Sequence, residues 1–214
     1  MSKRPLDEGL NTIKGIITDM ADLAVKTVEA SVGAYVEGGA LEVQVRAWSD
    51  ALRSMHSDIE EVAVELLARY QPVAIDLRTI KSSMKIAYDL SRFGRYAYDI
   101  LHVLQLLNGY KRTELKDEFI EGMSKKVLEM LRLSVDIYKR KNFDRVEDLS
   151  QMENEVDDMY RRHLKAMAEN PPERAAKCVS DVLLTRHLER IADHACYIVE
   201  EVYYMVHGRS MYFR

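Results

Sequence analysis

The same apolar pattern occurs twice in this chain, and the two copies stand 98 residues apart. In the later copy, between Asp181 and Val202, apolar residues recur at helical steps of three and four: Leu184, Leu188, Ile191, Ala195, Ile198 and Val202. The earlier copy places apolar residues at the corresponding positions, namely Ile86, Leu90, Phe93, Ala97, Ile100 and Leu104. Because such a stripe must be buried against other helices, the chain is predicted to repeat one helical packing unit.

Each half of the sequence predicts three helices. In the first half they are Leu10–Val36, ended by Gly38-Gly39, then Leu41–Tyr70, and a helix from Pro72 to Leu107, closed by Asn108-Gly109. In the second half they are Lys116–Lys139, a helix that follows Asn142 and reaches Ala168, and a helix opened by Pro171-Pro172. Strand-like alternation is missing. The sequence therefore predicts an all-α fold of six helices in two tandem three-helix bundles, residues 1–109 and 110–214.

Composition excludes several classes of protein. Apolar residues make up 47% of the chain and charged residues 31%, which excludes a disordered chain. No stretch reaches the roughly 18 apolar residues of a membrane span, and the N-terminus lacks the apolar core of a signal peptide, so a cytoplasmic location is expected. The net charge of −4 argues against general nucleic-acid binding. Cys178 and Cys196 stand too far apart on one predicted helix to pair, so both are expected as thiols.

Two acidic pairs stand on the last two predicted helices. Glu189 and Asp193 are four residues apart, on a stripe well away from the apolar one. Glu153 and Asp157 repeat this spacing on the preceding helix. If the two helices are neighbours, four carboxylates would converge on a hard or intermediate cation such as Fe, Mn or Mg. The other interpretation is a solvated face, on which neighbouring arginines form weak ion pairs with the acids.

A carboxylate-bridged di-metal oxidase is a poor match, because its helices would carry Glu-x-x-His. Ala192 and Val156 occupy the positions three residues after Glu189 and Glu153. A Gly-rich phosphate loop, a Gly-x-Ser-x-Gly elbow and a Cys-x-x-Cys pair are also missing from the sequence. We therefore predict no catalytic residues and do not expect an enzyme.

The histidines of the second half are predicted to be structural. His187 and His194 lie towards the edge of the apolar stripe and are expected to be packed or partly exposed rather than ligands. His163 falls on a core position of its helix.

The chain resembles the phosphate uptake regulator (PhoU) family over almost its whole length. Each third helix of that family carries a Leu-Glu-Arg-Ile-Gly-Asp signature, and residues 188–193 read Leu-Glu-Arg-Ile-Ala-Asp, one Gly-to-Ala change from it. Three further segments look like the family at the expected places: Glu169-Asn170-Pro171, Val156-Asp157, and Gln71-Pro72-Val73-Ala74 followed by Asp76-Leu77-Arg78. Their order and spacing make the resemblance specific.

The first half departs from the family's signature. Residues 90–95 read Leu-Ser-Arg-Phe-Gly-Arg, so Ser91 and Arg95 stand where the signature has its acids. On the second helix Ser49 and Arg53 align with the acidic pair of the fifth helix. Arg53 and Arg95 would repel a cation. They are expected either to hold an anion or a partner's acidic side chain, or to be merely solvated.

The resemblance implies a metal site in the second bundle alone. The expected cofactor is a divalent or trivalent ion (Fe, Mn, Mg or Zn) at a surface site formed by Glu189, Asp193, Glu153 and Asp157.

The resemblance also implies a negative regulator of phosphate uptake and phosphate homeostasis. By this likeness the chain would dock on the ATPase of a phosphate ABC transporter, on a sensor histidine kinase, or on both, and would be peripheral to the membrane through these partners. A homodimer is compatible with this role. Two alternatives stay open: a helical adaptor for another transporter without metal, and a carboxylate-metal enzyme or metal-storage protein.

Overall fold

Six α-helices account for most of the computed structural model, which describes residues 4–106, 118–173 and 175–213, apart from the side chains of Leu104 and Leu106. The helices are α1 Pro5–Gly33, α2 Glu42–Tyr70, α3 Ala74–Leu106, α4 Glu118–Arg140, α5 Val146–Glu169 and α6 Ala175–His207. A π-helical segment, Ala34–Gly38, continues α1. No strand occurs among these described residues, so the predicted all-α fold is confirmed. Within the same ranges, no helix has the length and apolar character needed to cross a bilayer.

The helices pack as two groups of three. Helices α1, α2 and α3 contact one another, and so do α4, α5 and α6, which confirms the predicted tandem bundles. The two groups meet mainly along α3 and α6, with a smaller contact between α1 and α4. Ion pairs support this second contact, since Arg132 lies 2.8 Å from Glu29 and Lys139 lies 2.5 Å from Asp22. The proposed division between residues 109 and 110 lies outside the described residues and stays a prediction.

The predicted apolar stripes form the core. All six stripe residues of α6 between Leu184 and Val202 are buried, and so are Ile86, Leu90, Phe93, Ala97 and Ile100 of α3. Because α3 and α6 are both long and apolar along one face, packing them together buries the two stripes at the centre of the molecule. The sixth residue of the α3 stripe, Leu104, has a side chain outside the described part.

Pro72 and Pro171-Pro172 lie in linkers rather than at helix starts, which corrects two predicted helix starts. Pro72 follows Gln71, which adopts a left-handed φ of 46° and caps α2, and α3 begins only at Ala74. A proline shortly after a left-handed cap is a common way to stop a helix, because it cannot continue the hydrogen-bond ladder. Pro171-Pro172 likewise precede the start of α6 at Ala175.

Local hydrogen bonds set two other helix starts. Helix α1 begins at Pro5 rather than Leu10, because Asp7 accepts a hydrogen bond from the Arg4 backbone and caps the first turn. Helix α5 begins at Val146, since Asn142 accepts a hydrogen bond from the backbone of Asp144 and holds a turn. The predicted helix ends at Leu107 and Asn108-Gly109 and the predicted start at Lys116 lie outside the described residues.

Candidate metal centre

Three carboxylates converge where α5 packs on α6. Glu153 and Asp157 stand one turn apart on α5, and Asp193 faces them from α6; one oxygen of each lies within 4.8 Å of the others. Glu153 is 5% exposed and Asp193 2% exposed, whereas Asp157 is partly exposed. The sequence predicted a surface site, but the close packing of the two helices buries it.

Glu189, the fourth predicted ligand, stands beside this cluster rather than in it. Its Oε1 accepts a hydrogen bond from Arg186 at 2.7 Å. Its Oε2 is buried and makes no hydrogen bond to the part of the chain that the structure describes, although Arg190 Nε lies 3.7 Å away. Burial raises the pKa of the Glu189 carboxyl, and the charges of Asp193 and Asp157 raise it further, against the opposing effect of the two arginines.

Arginines of the same helices surround the carboxylates. Arg161 donates to Asp157 at 2.9 Å, and Arg190 donates to Asp193 at 3.2 Å. The Arg190 contact is one of the ion pairs that the sequence allowed as the alternative to a metal site. However, Asp193 is nearly fully buried. Its ion pair with Arg190 is therefore not one of the weak, solvent-exposed pairs expected on a solvated face.

The donor set fits a hard cation. Three carboxylate oxygens at close range repel one another, and a divalent or trivalent ion would remove that repulsion while taking oxygen ligands. Glu189 Oε2 is a further buried oxygen one helical turn from Asp193, and its lack of a hydrogen bond within the described residues suits a fourth ligand. In this fit Glu153, Asp157 and Asp193 would hold the ion and Glu189 would complete its shell.

The C-terminal segment, residues 208–213, lies along one side of this site. Gly208 has a φ of +70°, a left-handed conformation that glycine adopts without strain, and it turns the chain back along α6. The backbone N–H of Phe213 donates to Glu200 Oε1 at 3.1 Å. Tyr212 and Phe213 line a cavity of about 180 Å³ whose other walls include Glu153 and Asp193. Sequence reasoning did not find this segment, although its Met-Tyr-Phe run after a helix-ending glycine was a usable signal.

The equivalent positions of the first half hold no carboxylate. Arg53 lies 3.4 Å from Asp50, and Arg95 donates to Asp99 at 3.0 Å, so each arginine pairs with an acid of its own helix. The Ser91 hydroxyl donates to the backbone oxygen of Tyr88 at 2.7 Å. Anion binding by these arginines therefore stays a prediction.

The histidines are packed, as the sequence predicted. His163 is buried and stacks on Phe119 with ring centroids 4.8 Å apart. His194 is buried and its Nδ1 lies 2.7 Å from Asp89 Oδ1, a contact between the two halves. Burial lowers the pKa of His187, which is partly exposed. Asp89 was missed by the sequence reasoning because nothing local to it indicates a partner 105 residues away.

The thiols also follow the prediction. Cys178 and Cys196 are both thiols, and Cys196 is buried beside the cavity at Asp193.

Comparison with known proteins gives one consistent result. The PhoU domain family model matches residues 17–104 and 120–202. A "Phosphate-specific transport system accessory protein PhoU homolog" from Clostridium acetobutylicum is 28% identical over 99% of this chain and 98% of its own length. A relative of the same name from Pseudomonas putida is 31% identical over 94% of this chain and 80% of its own length.

Solved structures agree in fold. The crystal structure of PhoU from Pseudomonas aeruginosa is similar to this chain with a TM-score of 0.82 at 29% identity, covering 95% of this chain and 99% of that one. The phosphate transport system regulatory protein PhoU from Streptococcus pneumoniae superposes with a TM-score of 0.83 over 97% of this chain and 99% of its own. At 22% identity, this second likeness concerns the fold alone.

Proposed function

The chain belongs to the PhoU family, and on that premise we propose that it is an accessory protein that regulates phosphate transport. The observation that carries the proposal is the match to relatives named as accessory proteins of phosphate-specific transport, over nearly the full length of both partners. The two matched segments, residues 17–104 and 120–202, take in both halves of the molecule. The proposed role therefore concerns the whole helical body.

The mechanism we propose is docking rather than catalysis. The chain would bind the ATPase of a phosphate transporter, a sensor histidine kinase, or both, and would restrain uptake when phosphate is plentiful. The ion pairs and core packing between the halves support a rigid body that could present one surface to such partners.

Phosphate uptake in the native host tests the role. Deleting the gene is expected to raise uptake in phosphate-rich medium, and restoring the full chain should return it to the original rate. Purified full-length chain is expected to retain the transporter ATPase or the kinase in a pull-down. Unchanged uptake together with no retention of either protein would overturn the proposal.

The second part of the proposal is that Glu153, Asp157 and Asp193 bind a metal ion, with Glu189 as an additional ligand. Its support is the convergence of three carboxylate oxygens within 4.8 Å in a largely buried position. Such an ion would tie α5 to α6 and so fix the shape of the second bundle.

Metal content of purified protein tests this part. After mild purification, elemental analysis is expected to find bound Fe, Mn, Mg or Zn in the wild-type chain and much less in Glu189→Ala/Asp193→Ala. The matched control is Glu147→Ala/Asp148→Ala, which removes two acids from the first turn of α5. Equal metal content in all three proteins would rule out the site and would leave the transport role to be judged on its own test.

A further inference from the structure

The C-terminal segment, residues 208–213, covers one side of a cavity of about 180 Å³. Tyr212 and Phe213 line this cavity from the segment, Glu153 lines it from α5, and Asp193 and Cys196 line it from α6. Tyr212 is 73% exposed, whereas Asp193 is 2% exposed. The segment therefore has solvent on its outer face and two carboxylates of the candidate metal centre beneath its inner face.

A glycine turn joins the C-terminal segment to the end of α6. Gly208 has a φ of +70°, and its N–H donates to the carbonyl oxygen of Tyr204 at 2.9 Å, the hydrogen bond of a left-handed helix cap. After this turn the chain runs back beside α6 until the Phe213 N–H contacts Glu200. A segment attached through one such turn can swing outward when the backbone angles of a few residues change, while the helices stay in place.

The contacts that hold the C-terminal segment lie near the surface. Arg209 donates to Tyr203 Oη at 3.2 Å in an exposed hydrogen bond, and the bond from the Phe213 N–H is only partly buried. Within residues 208–213 no side chain is fully buried, although Met211 and Phe213 are partly buried against the core. Because a segment with few buried contacts opens at a small fraction of the free energy of global unfolding, this one can open while the bundles stay folded.

Asp157 offers a poorer approach to the metal centre than this cavity does. Asp157 is partly exposed, but Arg161 donates to it at 2.9 Å, so a cation that approaches this carboxylate meets a guanidinium group. The described residues that line the cavity include no lysine or arginine. A cation that enters through the cavity therefore meets the rings of the C-terminal segment and no positive side chain of the lining.

Helices α5 and α6, and not the C-terminal segment, position the carboxylates. Glu153 and Asp157 belong to α5 and Asp193 belongs to α6, so a movement of residues 208–213 leaves all three in place. The segment also contains no aspartate or glutamate, so none of its side chains adds a carboxylate ligand. Its opening therefore changes access to the metal centre and not the set of carboxylates there.

We propose that the C-terminal segment is a hinged cover that controls how fast a metal ion enters and leaves this centre, an inference that rests on the metal site proposed above. In the closed position, Tyr212 and Phe213 block the approach to Glu153 and Asp193. Opening at Gly208 uncovers the cavity and lets the ion pass. Because the carboxylate ligands are the same in both positions, a looser cover speeds uptake and release together and leaves the equilibrium affinity nearly unchanged.

Cys196 reports the opening without any metal present. It is 3% exposed and lines the cavity, so its thiol reacts with Ellman's reagent when the cover moves away. Every full-length protein in this experiment carries Cys178→Ser, which removes the other thiol. Tyr212→Ala/Phe213→Ala is expected to raise the labelling rate of Cys196 by about tenfold, because it removes the two covering rings.

The matched control is Phe119→Ala, which removes a partly buried ring of the same bundle that is stacked on His163 and does not line the cavity. It should leave the labelling rate of Cys196 at the wild-type value. An equal rise in this control would show a general loosening of the bundle and would overturn the proposal.

Metal exchange tests what the cover controls. The probe is Mn²⁺, loaded onto the full-length proteins and released into an excess of chelator in a stopped-flow instrument. Tyr212→Ala/Phe213→Ala is expected to release Mn²⁺ about tenfold faster than the wild type, with a dissociation constant within about twofold of the wild-type value. Phe119→Ala should release Mn²⁺ at the wild-type rate.

Two results would overturn the proposal, and they can be told apart. If the wild type binds no Mn²⁺ and none of the other proposed metals, the metal site fails and the cover loses its role with it. If the wild type binds Mn²⁺ but the wild type and Tyr212→Ala/Phe213→Ala release it at equal rates, the metal site stands and the cover alone is refuted.

Discussion

Tyr96 and His194 occupy equivalent positions of the two repeats and contact each other. They are 98 residues apart, the same shift that aligns the apolar stripes of α3 and α6, and Tyr96 Oη lies 3.3 Å from His194 Nε2. The same shift relates Asp89 to His187, and each of these contacts a member of the first pair: Asp89 bonds to His194, and His187 lies 6.0 Å from the Tyr96 ring. This exchange of partners is the contact pattern of a two-fold axis, so the two halves pack like the subunits of a dimer.

Loss of the His194 ring should destabilise the protein. His194→Leu leaves the buried Asp89 without its hydrogen-bond partner, and removing one member of a buried pair costs about 3 kcal/mol. Urea denaturation of the purified variant measures the free energy of unfolding. His102→Leu is the control, because His102 is partly exposed and lies 3.6 Å from Glu42; a change there of under about 1 kcal/mol is expected. Equal effects of the two substitutions would contradict the role of the Asp89 contact.

Lys141 gives a pH-dependent prediction. Burial, together with the charge of Lys14, lowers its pKa to about 8, although the ammonium lies 3.9 Å from the Tyr138 ring centroid. The unfolded chain therefore holds this proton up to its ordinary pKa of 10.5, while the folded chain releases it near 8. The buried, protonated Lys141 therefore destabilises the folded state at neutral pH. Because the unfolded state binds more protons in that window, this penalty shrinks as pH increases from about 8 to 10.5.

Comparing Lys141→Met with the wild type tests this pH dependence of stability. The variant is expected to be the more stable protein at pH 7, and its advantage should shrink as the pH rises above 8. The free energy of unfolding, measured at several pH values, gives both differences. Lys125→Met, at an exposed position of α4, should show no such trend. An advantage that grows with pH would refute the assignment.

Gly94 lies where α3 packs closely against α2. A Cβ at this position would lie 2.7 Å from Leu52 Cδ1 and 3.1 Å from the backbone Cα of Ser49. Gly94→Ala should therefore destabilise the fold by about 1–2 kcal/mol in spite of alanine's better helix propensity. Gly15→Ala is the matched control, because a Cβ there meets nothing within 4 Å and should stabilise α1 by up to about 1 kcal/mol. Thermal denaturation measures whether each substitution lowers or raises the stability. A stabilising Gly94→Ala would show that α2 and α3 can move apart to accept the methyl group.

Gly208 holds the C-terminal segment in place. Alanine would be strained at its φ of +70°, and its Cβ would stand 3.2 Å from Arg78 Cζ. Gly208→Ala is therefore expected to loosen residues 209–213 at a cost of about 1 kcal/mol. Amide hydrogen exchange should become faster at Phe213, whose N–H bonds to Glu200. Unchanged exchange at Phe213 would show that the turn at Gly208 does not position this segment.

Local periodicity explains why so much of the fold could be predicted. Helices, their buried faces and their duplication depend on residues three and four apart, which the sequence contains directly. Helix ends were less accurate, because Pro72 and Pro171 permit either a helix start or a helix stop. The capping residue that decides between them, such as the left-handed Gln71, is not evident from composition.

The candidate metal centre likewise has features that the sequence predicts and features that it does not. By itself the sequence determined the two acidic pairs, the loss of their counterparts at Ser91 and Arg95, and the helices that carry them. Only the tertiary structure decided which carboxylates meet. The rotation of α6 against α5 brings Asp193 to Glu153 and leaves Glu189 with Arg186. The same packing of distant segments creates the Asp89–His194 contact and places Phe213 beside the site, since such relations depend on the register between helices and not on spacing within one.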